Sequence, residues 1–311
     1  MNLRNNSSSL KGIIVPMITP LRDADELDVA GLEKLVEHIL AGGVSALFIL
    51  GTTGEFSGLS YRLRHELVER VCKLVNKRVQ VLVGISDTSL VESVELANKA
   101  ARHGADAVVA TPPFYFSAGQ PELVQYYKRL LEKLPLPLYL YNMPYQTKVS
   151  IHPDTVKVIS EHKNVVGFKD SSADAVYFNL VLHAMKHRPE LSFFVGPELM
   201  TAEAVFMGGH GGVNGGANMF PCLYVDLYNA AASGNTAKML ECQEKIRQIN
   251  ATIYTVDPYN TSIIKGIKCV LSLMGICDDF MTDPYRRLQK DERKKVQEHL
   301  LALNMPNTIL V

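Results

Sequence analysis

The stretch VSALFIL at residues 44–50 is almost entirely apolar, and RVQVLVGI at residues 78–85 has the same character. Neither run alternates between apolar and polar side chains, as a strand with one solvent-facing side would. Continuous apolar strands are typical of parallel sheets that are covered by helices on both faces. The two stretches therefore predict an α/β fold.

Runs of this kind recur up to residue 214, and segments with the apolar spacing of helices separate them. Most of the runs start roughly 30 residues apart, which is the length of one strand–helix unit. Such a repeat predicts a closed (β/α)8 TIM barrel rather than an open doubly wound sheet. We place its strands at 13–18, 44–50, 79–85, 107–111, 136–141, 165–169, 192–196 and 211–214.

The ends of the chain differ from this repeat. Residues 1–10 are polar and contain no apolar stretch, which predicts a disordered leader. Residues 11–221 hold the predicted barrel. Residues 222–311 carry helical periodicity without further strands, so we expect C-terminal helices packed on the barrel as an appendage.

The composition excludes several classes of partner. Lys plus Arg and Asp plus Glu each total 32, so no net positive charge would attract nucleic acid or an acidic membrane. No apolar run approaches the roughly 20 residues of a membrane helix. The 5 cysteines include no CxxC pair and are odd in number, which indicates a reducing cytoplasmic compartment and neither a disulfide framework nor a metal site.

Lys169 is the first candidate for chemistry, because the reactive groups of such barrels lie at the carboxyl ends of strands. It ends the apolar run VVGFK, so its amine should point to the barrel mouth, where desolvation lowers the pKa of a lysine. A neutral amine attacks a ketone, and the protonated imine then withdraws electrons from the neighbouring carbon. Taken alone, Lys169 could equally be a solvated lysine at a strand end.

Other strand ends carry side chains for which both a functional and a structural role are possible. Tyr141 offers a phenol that could move protons, or it is an ordinary aromatic of the barrel rim. Thr52 and Thr53 lie between two glycines and could bind a carboxylate or relay a proton, or simply form a turn. Tyr115 follows two prolines that stiffen its loop, and it either reaches a partner subunit or covers an edge of the core.

Taken together, these strand ends resemble the dihydrodipicolinate synthase and N-acetylneuraminate lyase superfamily of pyruvate-dependent aldolases. The similarity runs from residues 12–20 to residues 263–275, and so covers nearly the whole chain. The motifs that carry it, in order, are GTTGE at 51–55, TPPFY at 111–115, YNMP at 141–144 and GFKD at 167–170.

The resemblance implies a role for each matching residue. Lys169 would form the imine with pyruvate or a related 2-keto acid, and Tyr141 would donate and accept protons beside it. Thr52 would extend this proton relay within the chain. Tyr115 would complete it from a neighbouring subunit.

The substrate-binding residues follow from the same resemblance. Thr53 would hold the pyruvate carboxylate, with Gly51 in the same loop, and Val213 would supply a backbone contact to pyruvate. The family is generally a homotetramer built as a dimer of dimers, and it uses no metal and no organic cofactor.

Two positions bear on the second substrate. Dihydrodipicolinate synthases carry an arginine two residues after the proline of YNxP, where it grips the carboxylate of aspartate semialdehyde, but this chain has Gln146. An amide without charge favours a neutral or polyhydroxylated aldehyde. Glu198, in VGPE, lies near the position where sialic acid lyases and sugar-acid aldolases bind substrate hydroxyls; otherwise it stabilises the following helix as an acid at its N-terminus.

Three hypotheses remain open from the sequence. The first is a lyase or aldolase that cleaves or forms a 2-keto-3-deoxy sugar acid or a sialic acid-like substrate. The second is the dihydrodipicolinate synthase reaction, in which pyruvate condenses with aspartate semialdehyde. The third is a non-catalytic oligomer that only binds a keto acid, because a fold does not guarantee an activity.

Overall fold

The computed structural model describes residues 9–305, which include eight parallel strands closed into a barrel. The predicted fold class is therefore confirmed, and no predicted strand end is displaced by more than two residues. Labelled β1 to β8, the strands span Gly12–Pro16, Ala46–Ile49, Gln80–Gly84, Ala107–Ala110, Leu138–Asn142, Val165–Asp170, Ser192–Val195 and Gly211–Val213. β1 pairs with both β2 and β8, so the sheet has no free edge.

Helices alternate with the strands and continue after β8. Polar side chains cap some of the helices, as at α7, where the Asp174 carboxylate accepts a hydrogen bond from the Tyr177 amide at 3.0 Å. Labelled α1 to α12, the helices span Val29–Ala41, Tyr61–Val75, Leu90–Arg102, Gln120–Leu131, Pro144–Thr147, Pro153–Ser160, Ala175–Ala184, Thr201–Phe206, Pro221–Ser233, Thr236–Thr252, Ser262–Leu273 and Lys290–Leu303.

Two apolar clusters, one on each face of the strands, explain why the strand sequences are continuous apolar runs. The larger cluster lies between the barrel and its helices. A smaller one fills the barrel interior, where aromatic and β-branched side chains from different strands meet. Its members are Ile14, Ala46, Phe48, Leu82, Ala107, Val109, Tyr139, Tyr141, Phe194 and Val213.

C-terminal helices follow β8, which confirms this part of the predicted fold class, and the predicted boundary between residues 221 and 222 stays a prediction. α9 contacts β1 and follows β8, so it covers the barrel as the last helix of the repeat, and α10 packs on α9. Within residues 9–305, no helix combines the length and apolar character needed to cross a membrane. Positions 1–8 of the predicted leader lie outside the described residues, and Ser9 and Leu10 are half-buried.

Candidate active site

The loop after β2 brings the two threonines to the mouth of the barrel. Gly51 opens it, and a Cβ atom there would lie 2.7 Å from the Phe48 ring, so a larger residue would displace an aromatic of the barrel interior. Thr52 and Thr53 follow and are half-buried. Part of each threonine is therefore exposed to solvent.

Glu55, at the end of this loop, anchors it to the C-terminal segment. Its φ of 56° is left-handed, and its carboxylate lies in a buried ion pair with Lys268 of α11. The other carboxylate oxygen accepts hydrogen bonds from the Thr282 amide and hydroxyl at 2.9 and 3.0 Å. The sequence reading missed this anchor, although a lysine inside the apolar run IIKGIKCVLSLMG is a signal for a buried ion pair.

Tyr141 and Lys169 are the next-to-last residues of neighbouring strands and are partners in the β5–β6 ladder. The Lys169 amine lies 3.9 Å from the centre of the Tyr141 ring and 5.0 Å from that of Phe48. Lys169 is only 7% exposed and Tyr141 only 4%. The structure therefore brings the amine and the phenol together in a nearly water-free place at the carboxyl end of the barrel.

The phenol of Tyr141 is tuned by its neighbours. Burial alone would raise its pKa, but the Lys169 ammonium and the hydroxyls of Thr52 and Ser171 outweigh burial and lower the pKa below its ordinary value. Thr52 Oγ1 and Tyr141 Oη are 3.5 Å apart. The sequence analysis assigned no role to Ser171. Its hydroxyl reaches the Tyr141 phenol only when β5 and β6 lie side by side in the folded barrel.

Val213 ends β8 and belongs to the same interior cluster as Tyr141. It is buried, and the next amide, that of Asn214, donates to the Ile14 carbonyl of β1 at 3.1 Å. This segment is therefore held firmly between β1 and the interior of the barrel.

Tyr115 lies apart from these groups. Its side chain is 84% exposed and its φ is 83°, an uncommon conformation for a residue other than glycine. Its ring packs edge-on against Phe116, with ring centres 5.1 Å apart. Gln146 and Lys148 line a surface groove of about 840 Å³ with Tyr115. The structure thus places Tyr115 and Gln146 next to a common groove, and Tyr115 projects outward from its own chain.

Glu198 is buried behind the segment that follows β8. One carboxylate oxygen accepts from the Gly216 amide at 2.7 Å and from the Tyr254 hydroxyl at 3.0 Å. The other accepts from the Tyr224 hydroxyl. Burial raises the pKa of Glu198, although these donors oppose the change. The contacts favour a structural role over binding of substrate hydroxyls, because the side chain is buried and both carboxylate oxygens already accept hydrogen bonds from within the fold.

The arrangement suits covalent chemistry on a carbonyl compound. An amine, a phenol with a lowered pKa and a threonine hydroxyl converge, so one group can attack a carbonyl while another moves protons. Among residues 9–305, His, Cys, Asp and Glu side chains form no group of three or more that could hold a metal.

Comparison with known proteins agrees with this geometry. The family model for the dihydrodipicolinate synthetase family matches residues 9–303. A probable 2-dehydro-3-deoxy-D-pentonate aldolase of Escherichia coli K12 is 32% identical over 83% of this chain and 87% of its own length. A 4-hydroxy-tetrahydrodipicolinate synthase of Thermodesulfovibrio yellowstonii is 29% identical over 95% of this chain and 99% of its own.

Solved structures give the same result. A dihydrodipicolinate synthase from Bacteroides thetaiotaomicron is 55% identical, with a TM-score of 0.92 over 97% of this chain and 100% of that chain. An E. coli K12 prophage protein of the dihydrodipicolinic acid synthase family, solved with pyruvate, is 27% identical with a TM-score of 0.89 over 94% of this chain and 98% of that one. The chain belongs to the dihydrodipicolinate synthetase family, and is thus a pyruvate-dependent enzyme of the lyase and aldolase class.

Proposed function

We propose that Lys169 forms an imine with the keto carbon of pyruvate or a related 2-keto acid, and that Tyr141 moves the protons of the reaction. The observation that carries this proposal is the 3.9 Å between the Lys169 amine and the centre of the Tyr141 ring, in a buried place at the ends of adjacent strands. The phenolate form of Tyr141 can take a proton from the Lys169 ammonium, which leaves an amine that attacks a ketone.

The steps follow from these positions. The amine attacks the keto carbon, and the phenol of Tyr141 supplies a proton to the departing oxygen, so that water leaves and an iminium remains. In the cleavage direction, the aldehyde forms as its hydroxyl loses a proton to Tyr141 and the carbon–carbon bond breaks. The electron pair of that bond passes to the iminium, which becomes an enamine. A proton then adds to the enamine carbon, and water hydrolyses the resulting iminium to pyruvate and the free Lys169 amine; condensation is the reverse sequence.

The remaining assignments concern binding of the keto acid. Thr53 and Gly51 lie in the loop at the mouth, and we assign them, with the backbone at Val213, to the carboxylate and carbonyl of pyruvate. Thr52, whose hydroxyl is 3.5 Å from the Tyr141 phenol, extends the proton relay.

For the compound that the enzyme cleaves into pyruvate and an aldehyde, or forms from them, we propose a 2-keto-3-deoxy sugar acid or a sialic acid-like compound. Gln146 supports this choice, because its amide can bind a hydroxyl but cannot form an ion pair with a carboxylate. The similarity to a probable 2-dehydro-3-deoxy-D-pentonate aldolase, 32% identical, supports the same class of substrate.

The dihydrodipicolinate synthase reaction is the second candidate, and the 55% identity to a dihydrodipicolinate synthase structure favours it. Against it stands Gln146, since the carboxylate of aspartate semialdehyde would lack a guanidinium partner at that position. The exposed cation nearby is Lys148, which lines the same groove.

The active unit in this proposal is a homotetramer. The exposed Tyr115 and Phe116 rings form one apolar surface, and Val176, Leu180 and Phe206 form another on α7 and α8. Two separate surfaces of this kind suit the two interfaces of a dimer of dimers. The 5 free cysteines suit the reducing compartment that we propose, the cytoplasm.

Two assays test the proposal. Incubation with pyruvate and borohydride should add the mass of the reduced pyruvate adduct, and peptide mapping should place it on Lys169. A panel of 2-keto-3-deoxy acids, assayed for released pyruvate, should then identify the substrate, with aspartate semialdehyde plus pyruvate as the competing reaction. No adduct with pyruvate or other 2-keto acids would overturn the imine, whereas efficient turnover of aspartate semialdehyde alone would overturn the substrate assignment.

A further inference from the structure

The rung of the β5–β6 ladder that follows Tyr141 and Lys169 pairs Asn142 with Asp170. Side chains alternate along a strand, so these two point out of the barrel when their neighbours point in. Both are fully buried, and the Asn142 amide donates to the Asp170 carboxylate at 2.8 Å. A hydrogen bond between side chains thus joins the two strands immediately beside the reactive pair.

The polar atoms of both side chains are taken up by the protein. The second Asp170 oxygen accepts from the Ser172 hydroxyl at 2.7 Å, and the first also accepts from the Ser172 amide at 3.1 Å. The Asn142 carbonyl oxygen accepts from the Ile151 amide at 3.0 Å. The pair therefore ties the ends of both strands to the segments that follow them, and it has no partner among the reactive groups.

The ladder that this pair closes is irregular at its other end. Leu138 pairs with Val165, but the next residue of β5 pairs with Gly167, so Val166 is skipped. The register at the start of the strands consequently does not fix the register at their ends. A slip by one residue would turn the carboxylate into the barrel and the Lys169 amine out of it.

We propose that Asn142 and Asp170 are positioning residues that fix the register of β5 and β6 and thereby hold the Lys169 amine beside the Tyr141 phenol. This inference rests on the proposed function, since it assumes that the two side chains act together on a keto acid. The pair acts only through the strands, because it contacts neither of the reactive groups.

Three variants test the register: Asn142→Asp, Asp170→Asn and the double exchange of both. Each single variant loses the amide–carboxylate match, so the trapping rate with pyruvate and borohydride, and kcat, should fall by about 10²-fold, as for a small misplacement of reacting groups. The KM for pyruvate should change much less. The double variant restores one amide facing one carboxylate but sets the new amide against the Ser172 amide, so it should recover only part of the loss.

A matched control separates positioning from loss of stability. Arg293→Ala breaks the 2.7 Å ion pair with Asp279 on the C-terminal side of the molecule, and should lower the melting temperature without slowing the trapping rate. Should a single variant fail to fold, Ser172→Ala replaces it, because it removes one donor to Asp170 and should slow trapping to a smaller extent.

The results of these experiments separate the inference about strand register from the proposed function. If the wild-type protein forms no adduct with any keto acid, the proposed function is wrong. If the wild type is trapped and both single variants are trapped equally fast, the register inference alone is overturned. A double variant no faster than the slower single variant would also overturn it. If Ser172→Ala stands in for a variant that does not fold, its trapping at the wild-type rate overturns the inference too.

Discussion

Lys169 and Tyr141 occupy one rung of a parallel ladder, and the amine lies 3.9 Å from the centre of the phenol ring. Neighbouring strands run about 4.8 Å apart, so inward side chains of the same rung must touch. Because Lys169 is among the groups that lower the pKa of the phenol, the contact affects proton transfer as well as packing.

Lys169→Met keeps a long apolar stem of similar shape but removes the amine. We expect no borohydride-dependent addition of pyruvate at this position, and turnover lower by about 10³-fold or more, because the covalent step is lost. Intact-mass measurement checks the first result and steady-state kinetics the second. Lys148→Met is the matched control, since it removes an exposed amine near the mouth and should leave the adduct unchanged.

Thr52→Val should shift the pH dependence of the enzyme upward. Burial raises the pKa of Tyr141, whereas the Lys169 ammonium and the Thr52 hydroxyl lower it. Removing the hydroxyl takes away one lowering contribution, so the pKa of the phenol rises and the matching limb of the kcat/KM profile moves to higher pH. Thr52→Ser keeps the hydroxyl and should keep the profile. If this limb stayed at the same pH in Thr52→Val, or moved to lower pH, the proposed proton relay through Thr52 would be contradicted.

Mixing two inactive variants should restore activity if Tyr115 acts across a subunit interface. Tyr115→Phe chains keep Lys169, and Lys169→Met chains can supply the missing Tyr115 to them, so mixed oligomers contain complete sites. We expect the activity of the mixture to exceed the sum of its parts after subunits exchange. Lys169→Met mixed with Tyr141→Phe is the control, because both residues lie in one chain and no complete site can form. Equal behaviour of the two mixtures would place Tyr115 outside the site of a partner.

Much of this barrel could be read from local sequence patterns. The eight strands were predictable because each is a continuous apolar run bounded by turn residues, and its position depends on nearby residues only. Tyr141 and Lys169 were predictable as neighbours for a related reason, since both lie near the carboxyl ends of strands that are consecutive in the chain. The carboxyl ends of consecutive parallel strands lie side by side.

Contacts between residues far apart in the chain could not be predicted from local sequence patterns. Glu55 and Thr282 are 227 residues apart in the chain, and no local pattern indicates that they share a hydrogen bond. Glu198 illustrates a second limit, because the sequence left open whether it binds substrate hydroxyls or stabilises a helix, and could not indicate its buried contacts with Tyr224 and Tyr254. Which way a side chain at a strand end faces depends on what the completed fold offers it.

Glu198→Gln should change the pH dependence of stability. Burial raises the pKa of Glu198 above 4.5, so the folded state holds this proton more tightly than the unfolded state does. The stability that protonated Glu198 contributes to the fold is therefore fully present below the pKa that it has in the unfolded chain. This stability is lost as pH rises through the pKa that Glu198 has in the folded chain. We expect the free energy of unfolding of the wild type, relative to the variant, to fall as pH rises above 4.5. Urea unfolding across this range measures the difference.

An exposed carboxylate offers the opposite control. The Arg78 guanidinium lowers the pKa of Glu37 in the folded state. The stability that ionised Glu37 contributes is therefore present above the pKa of the unfolded state and is lost as pH falls through the folded pKa. The difference between wild type and Glu37→Gln should therefore change with pH in the reverse direction and by a smaller amount, because this pair is open to solvent. The same sign for both variants would contradict the burial argument for Glu198.

Gln146→Arg should move the enzyme toward an acidic aldehyde. A guanidinium in this groove can form two parallel hydrogen bonds to the carboxylate of aspartate semialdehyde, which the amide cannot. We expect kcat/KM for this aldehyde to rise by about tenfold to hundredfold relative to a 2-keto-3-deoxy sugar acid. The trapping rate with pyruvate alone should stay the same, because the change lies outside the imine-forming pair.

Two further variants decide how the wild type treats this aldehyde. Gln146→Lys adds a charge without the planar fork, so it should gain less than Gln146→Arg if bidentate geometry matters. Lys148→Met removes the exposed cation that already lines the groove. If the wild type turns over aspartate semialdehyde efficiently and Lys148→Met abolishes this, then Lys148 replaces the expected arginine. Efficient turnover that neither variant alters would mean that no cation at this groove is needed, and Gln146 would lose its value as a marker of substrate class.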